Sequence, residues 1–291
     1  MRKHAGVSLV ILAGILWGIS GGLADILMTR GWSPVTVSFY RGAVGWFCFV
    51  IWFLFRFKKN ITSSVTFYLW SLLAGIGVAG NFSLYFVSIQ HASVPVAATL
   101  MYTAPVFVLT TSIILKIERS RWYKWAGIAV VLLGIVLLTG AYDLESISMS
   151  LVGTSAGLGA GLSYALFIFG FKKASSIGKR PAVLTSAFLT FSLILFLFMD
   201  RGEAFSVLSS SDFGWFLLLG IIGAGLSFTV YVIGLQKTAP TTASMVAMVE
   251  PVTASLFGVL FLNNALTMIQ VTGMALILVT ITLLSAKKSR E

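Results

Sequence analysis

The chain has 291 residues, of which 58% are hydrophobic and 10% charged, with a formal net charge of +11; its mean hydropathy is +0.98. That composition leaves too little polar surface to coat a water-soluble globule and places the chain in lipid. Apolar runs near 20 residues, the length that crosses a hydrocarbon core of roughly 30 Å, recur ten times. They are continuous rather than alternating, which excludes membrane strands. The expectation is an all-α integral membrane protein with ten transmembrane helices at 6–28, 34–55, 67–89, 94–115, 123–140, 151–171, 182–199, 213–235, 240–262 and 268–285.

The first run follows Met1-Arg2-Lys3-His4, is longer than a signal-peptide core and lacks a convincing cleavage site, so it reads as a retained helix. Its glycines at 14, 18 and 22 let a neighbouring backbone approach one face; Trp17 lies between them, and Asp25 falls near the outer end. The second run opens at Pro34, contains Tyr40, and carries Arg41 about 10 Å into the membrane at 1.5 Å per residue. A charge at a helix centre costs about 2.5 to 3.5 kcal/mol, so it needs a reason. Arg41 either holds an anionic group such as a substrate carboxylate through its planar fork, or pairs with Asp25, or caps backbone carbonyls. The second run also holds Cys48, the single cysteine, which allows no intramolecular disulfide.

The loop after it contains a formal glycosylation sequon, Asn60-Ile61-Thr62, on the cytoplasmic side and out of reach of that modification. Gly75, Gly77 and Gly80 of the third run spell G-x-G-x-x-G, but with no preceding strand and no acid some 20 residues on, the match is accidental. The same run supplies Asn81, Tyr85, Gln90 and His91, the last near the outer mouth. In the fourth, Tyr102 precedes Pro105, which frees the carbonyl of Met101 and loosens the helix. The sixth repeats the glycine column at 153, 157 and 161 and adds Tyr164; the eighth brings Tyr231 and Gln236. These tyrosines, amides and Trp17 are candidates for orienting groups in a mostly apolar cavity, and equally for packing aromatics. Mid-way along the ninth run, Glu250 directly precedes Pro251, which frees the Ala247 carbonyl. Glu250 is a candidate site for a substrate ammonium or a coupling proton; the alternative is a neutral carboxyl bonded to a tyrosine or an amide.

The chain repeats itself at an offset of 146, pairing Tyr85 with Tyr231, Gln90 with Gln236, Ala97 with Ala243 and Pro105 with Pro251, and further out Phe82 with Phe228, Gly77 with Gly223 and Gly127 with Gly273. The first helices match at an offset of 143. Residues 6–140 and 151–285 are thus expected to be two copies of a five-helix unit, and an odd helix number makes the repeats inverted. Charge agrees. With the N-terminus inside, 17 of 20 cations fall on the inner side: Arg2, Lys3, Arg56, Lys58, Lys59, Lys116, Arg119, Arg121, Lys124, Lys172, Lys173, Lys179, Arg180, Lys237, Lys287, Lys288 and Arg290. Only Arg30 and Arg201 fall outside, with the acids Asp143, Glu145, Asp200, Glu203 and Asp212. This asymmetry predicts both termini in the cytoplasm and accounts for the basic charge without nucleic acid.

Several of these features resemble the EamA-type transporters of the drug/metabolite transporter superfamily: Trp17-Gly18 in a small-residue first helix, Pro34 followed by Arg41, the Gln90–Pro105 and Gln236–Pro251 segments, and Glu118 ahead of Gly127 and Gly134. The resemblance covers both halves. It implies a metabolite transporter of the cytoplasmic membrane, with a central cavity lined largely by helices three, four, eight and nine and their neighbours, and it favours export. Two places depart from it: Asn263-Asn264 stand where a second Glu would fall, and Phe188 stands against Arg41.

The reading is a secondary transporter that moves a small metabolite or amphipathic compound by alternating access between two similar halves. Membrane lipid is a partner; proton coupling and oligomeric state are left open. No Walker lysine loop is present to use ATP directly. With two histidines, one cysteine and scattered acids, neither a metal nor a cofactor is expected. The rivals are an intramembrane lipid-modifying enzyme, which would need a nucleophile with a base or a metal, and a channel, which would need polar rings.

Overall fold

The computed structural model describes residues 5–143 and 150–287. Arg2, Lys3, Glu145, Lys288 and Arg290, used above to assign sides, lie outside the described residues, as does the side chain of Lys287. Ten helices long and apolar enough to cross a membrane follow one another: Ala5–Thr29, Pro34–Leu54, Val65–His91, Val94–Ile114, Trp122–Thr139, Leu151–Ile177, Arg180–Phe198, Phe213–Gln236, Pro240–Phe261 and Met268–Ala286. They are called here the first to tenth spans. Helix is what lipid imposes, because only an intra-segment ladder satisfies every backbone group there. Where the chain enters a span from water, a hydroxyl often caps it. Ser33, Ser64 and Ser150 each accept from a backbone N–H three residues on. Gly140, at φ 80°, turns the chain out of the fifth span.

All ten expected helices are present. The largest boundary difference is in the sixth, expected to end at 171 but continuing to Ile177. Lys172 is not a stop: its ammonium donates to the carbonyls of Leu235, at 3.0 Å, and Thr238, where the eighth span ends. The lysine therefore ties the sixth span to carbonyls at the end of the eighth.

Two spans are broken. The fourth divides into Val94–Met101 and Ala104–Ile114, the ninth into Pro240–Ala247 and Val249–Phe261. The breaks centre on Tyr102 (φ −74°, ψ 3°) and Met248 (φ −66°, ψ 4°), which are 146 residues apart. Each stands three residues before its proline, Pro105 or Pro251, as a missing N–H requires. The eighth span is irregular in another way: Ile221–Leu226 forms a π-helical turn. Its counterpart in the third span is regular α-helix, so the two halves differ here.

Packing runs mainly between the halves. The third span lies against the sixth and seventh, the eighth against the first and second, the fourth against the sixth, and the ninth against the first. The second also pairs with the seventh and the fifth with the tenth. Exchanging the halves maps each of these contacts onto another or onto itself. The glycine columns make the approach possible. A Cβ on Gly14 would stand 2.9 Å from the Ala247 carbonyl oxygen, one on Gly18 would stand 2.6 Å from that of Glu250, and one on Gly161 3.0 Å from that of Met101. Each half's opening helix thus rests on the other half's broken helix.

Polar ties close the bundle at both ends. At one, the Glu203 carboxylate, on the short helix Arg201–Val207, accepts from Ser33 N at 2.6 Å, Thr36 Oγ1 at 2.6 Å and the Ser33 hydroxyl. Asp212 takes Arg30 and Trp32 Nε1 there, and Tyr40 donates to Ala204 O at 2.7 Å. At the other, basic end, Glu118 accepts from Lys124 Nζ at 2.7 Å and from Thr241 N at 3.0 Å, capping the start of the ninth span. Burial alone would raise the Glu118 carboxyl; the Lys124 ammonium and the Thr241 N–H outweigh it and hold the group below its ordinary value.

Candidate functional site

A cavity of 320 Å³ opens between the halves. Its mouth lies at the end carrying Asp25, Met28 and Pro34, all exposed. It narrows to an aromatic floor of Trp17, Tyr164, Phe167 and Phe228, with centroids 5.1 Å apart for Trp17 and Phe228 and 4.5 Å for Tyr164 and Phe167. Beneath the floor, Tyr231 is 0% exposed and its ring lies 4.8 Å from that of Trp17, tilted by 47°. The passage therefore stops part-way through the bundle.

The two halves bring opposite charges to this cavity. Arg41 comes from the second span: its Nε donates to Gly223 O at 3.0 Å, and its guanidinium lies 4.9 Å from the centroid of Phe82. Gly223 belongs to the π-helical turn. Arg41 thus caps a backbone carbonyl, one of the alternatives the sequence allowed. Asp25 is not its partner: the ion pairs recorded among the described residues are Arg30 with Asp212 and Lys124 with Glu118. Glu250 enters from the ninth span, two residues past the break. It lies within electrostatic reach of Arg41, Tyr85 and Tyr102 but forms no ion pair.

Eight residues singled out in the sequence share this cavity: Trp17, Asp25, Arg41, Asn81, Tyr85, Tyr102, Tyr164 and Glu250. Asn81 Nδ2 donates to Ala160 O at 3.0 Å, which pins the third span to the sixth beside the site. Four others lie elsewhere. Tyr231 is sealed under the floor. Gln90 and His91 are exposed at the last turn of the third span, beyond the cavity lining. Gln236 faces the basic end, its amide taken up by Arg180 and by Ser175 O. Pro105 and Pro251 act at one remove, through the breaks.

Sequence reasoning passed over Phe82 and Phe228, which line the cavity from the third and eighth spans. The 146-residue offset pairs them with each other, and that was the available signal. Phe86, Met101 and Phe167 carried none beyond being apolar.

The site holds polar groups without partners. Trp17 Nε1 and Tyr164 Oη are buried with no hydrogen bond, and the Glu250 carboxyl has none among the described residues. Buried polar atoms are ordinarily paired, and these belong to residues that line one cavity. A guanidinium, a carboxylate and aromatic walls suit a small molecule carrying both an anionic and a cationic group. Among the described residues no three His, Cys, Asp or Glu side chains converge as a metal site would need.

Comparison with known proteins identifies the family. The sequence profile of the EamA-like transporter family matches residues 4–140 and 151–286. An uncharacterized inner membrane transporter, YicL of Salmonella typhimurium, is 24% identical over 98% of this chain and 97% of its own. The threonine/homoserine exporter RhtA of Escherichia coli K12 is 27% identical over 93% of this chain and 88% of its own. A solved crystal structure with 19% identity covers 99% of both chains at a TM-score of 0.77, which shows the same fold. The chain is a multi-pass membrane transporter, not an enzyme, and it belongs to the EamA-like transporter family.

Proposed function

We propose that this protein is a secondary transporter that exports a small amino-acid-like zwitterion across the cytoplasmic membrane by alternating access between inverted repeats. The observation that carries this reading is the blind cavity between the halves, with Arg41 and Glu250 on its walls beside two helix breaks. Arg41 receives the substrate carboxylate and Glu250 the ammonium or, in its absence, a proton. The relationship to RhtA supports both the substrate class and the direction. Both termini are assigned to the cytoplasm because most of the described cations, Arg56 and Lys237 among them, are assigned to one end of the bundle and only Arg30 and Arg201 to the other. The cavity then faces outward, and tilting each broken helix about its break would exchange the two openings.

Counterflow in proteoliposomes tests this. Preloading with excess threonine or a related zwitterion is expected to accelerate entry of labelled substrate, and Glu250→Gln to reduce that exchange at least about tenfold while the protein still folds. Uptake without trans-stimulation would identify a channel, chemical change of the compound would identify an enzyme, and undiminished exchange by the variant would remove Glu250 from the site.

A further inference from the structure

At the basic end, far from the cavity mouth, a second cavity of 470 Å³ lies between the second span, the turn joining the sixth and seventh, and the end of the eighth. Arg56, Lys179 and Arg180 line it, and no carboxylate does. Neither Arg56 nor Lys179 has an ion-pair partner among the described residues. Arg180 is held by a neutral group: its Nε and Nη2 donate to Gln236 Oε1 at 3.1 and 2.7 Å, and Gln236 Nε2 in turn donates to Ser175 O at 2.7 Å. This chain fixes the plane of the guanidinium and leaves its charge uncompensated, with three of five N–H donors still available.

The seventh span begins at the same place. Its N-cap, Lys179, makes no side-chain cap; Pro181 has no N–H and Val183 N bonds Lys179 O, so of the first turn the Arg180 N–H and the positive end of the helix dipole are what face the cavity. Ser175, also in the lining, is 7% exposed, and its hydroxyl has no hydrogen-bond partner. Cations needed only for topology would not require the Gln236 brace.

We propose that this second cavity is a binding site for a phosphate-bearing anion, either the headgroup of an anionic lipid or a free phosphate. Arg180 presents a preset fork, Arg56 and Lys179 supply charge, and the Ser175 hydroxyl adds a neutral donor. Trp52, in the lining, and the neighbouring Phe55, 80% exposed, provide the interfacial apolar surface that acyl chains would meet.

The test uses the full chain in neutral detergent at about 150 mM salt, where diffuse attraction is screened. Native mass spectrometry compares retention of phosphatidylglycerol and phosphatidylcholine by the wild type, by Arg56→Gln/Lys179→Gln and by Ser175→Ala. The first pair is exposed and the last change is nearly isosteric, so melting temperatures should stay close to wild type. Expected is one selectively held phosphatidylglycerol, with affinity reduced at least about tenfold in the double variant and about threefold in Ser175→Ala. If instead millimolar inorganic phosphate raises the melting temperature of the wild type alone and displaces the lipid, the site is real and its ligand soluble. Equal retention of both lipids, retention unaffected by the substitutions, or no response to either probe would overturn the proposal.

Discussion

At the scale of single residues, the informative signal is the cost of charge in lipid. Arg41 and Glu250 were legible as functional candidates because a membrane does not tolerate them idly, and the structure sets both on one cavity. What Arg41 grips was not legible, since the Gly223 carbonyl lies 182 residues away in a π-helical turn of the other half with no sequence signature. Arg41→Lys keeps the charge and loses the Nε bond and the planar fork. We expect about 1 kcal/mol lower stability, and about a tenfold higher substrate concentration for half-maximal counterflow. Glu118 offers a check outside the membrane. Its carboxyl is held below the ordinary value, so its stabilisation is complete above the unfolded value near 4.5 and disappears as pH falls through the lower folded one. Melting curves of wild type and Glu118→Gln should therefore differ at pH 7 and converge as the pH falls through the lowered folded value.

At the scale of elements, hydrophobic length set the ten helices and proline set the two breaks, both readable in the chain. The end of the sixth span was not, because Lys172 finds carbonyls on the eighth span that no local rule anticipates. The breaks are the elements expected to move. Pro251→Ala restores an N–H that can reach the Ala247 carbonyl and straightens the ninth span. Counterflow should slow while equilibrium substrate binding changes little, and a variant with unaltered exchange would show that the break does not govern the motion. Glycine contacts are expected to be rigid instead. A Cβ at Gly77 would stand 2.6 Å from the backbone nitrogen of Phe167. Gly77→Ala should cost about 1–3 kcal/mol, read as a fall in melting temperature.

For the molecule as a whole, the offset of 146 also separates the two helix breaks, at Tyr102 and Met248, but which end is open was hidden, because a symmetric pattern favours neither. Thiol labelling resolves this. In a Cys48→Ser background, Met28→Cys should react with a membrane-impermeant maleimide added outside intact cells, and Lys173→Cys should react only after lysis. The contacts of the third span carry one more consequence. Its partners, the sixth and seventh spans, lie in the other half of the chain. During synthesis, then, the surface around Gly75 and Gly77 emerges into the bilayer well before the helices that cover it, since a chain grows at about 5–20 residues per second. Lipid or an insertion factor must shield that notched surface for several seconds, and a ribosome stalled after the fifth helix leaves a product that quality-control proteases should recognise as unfinished.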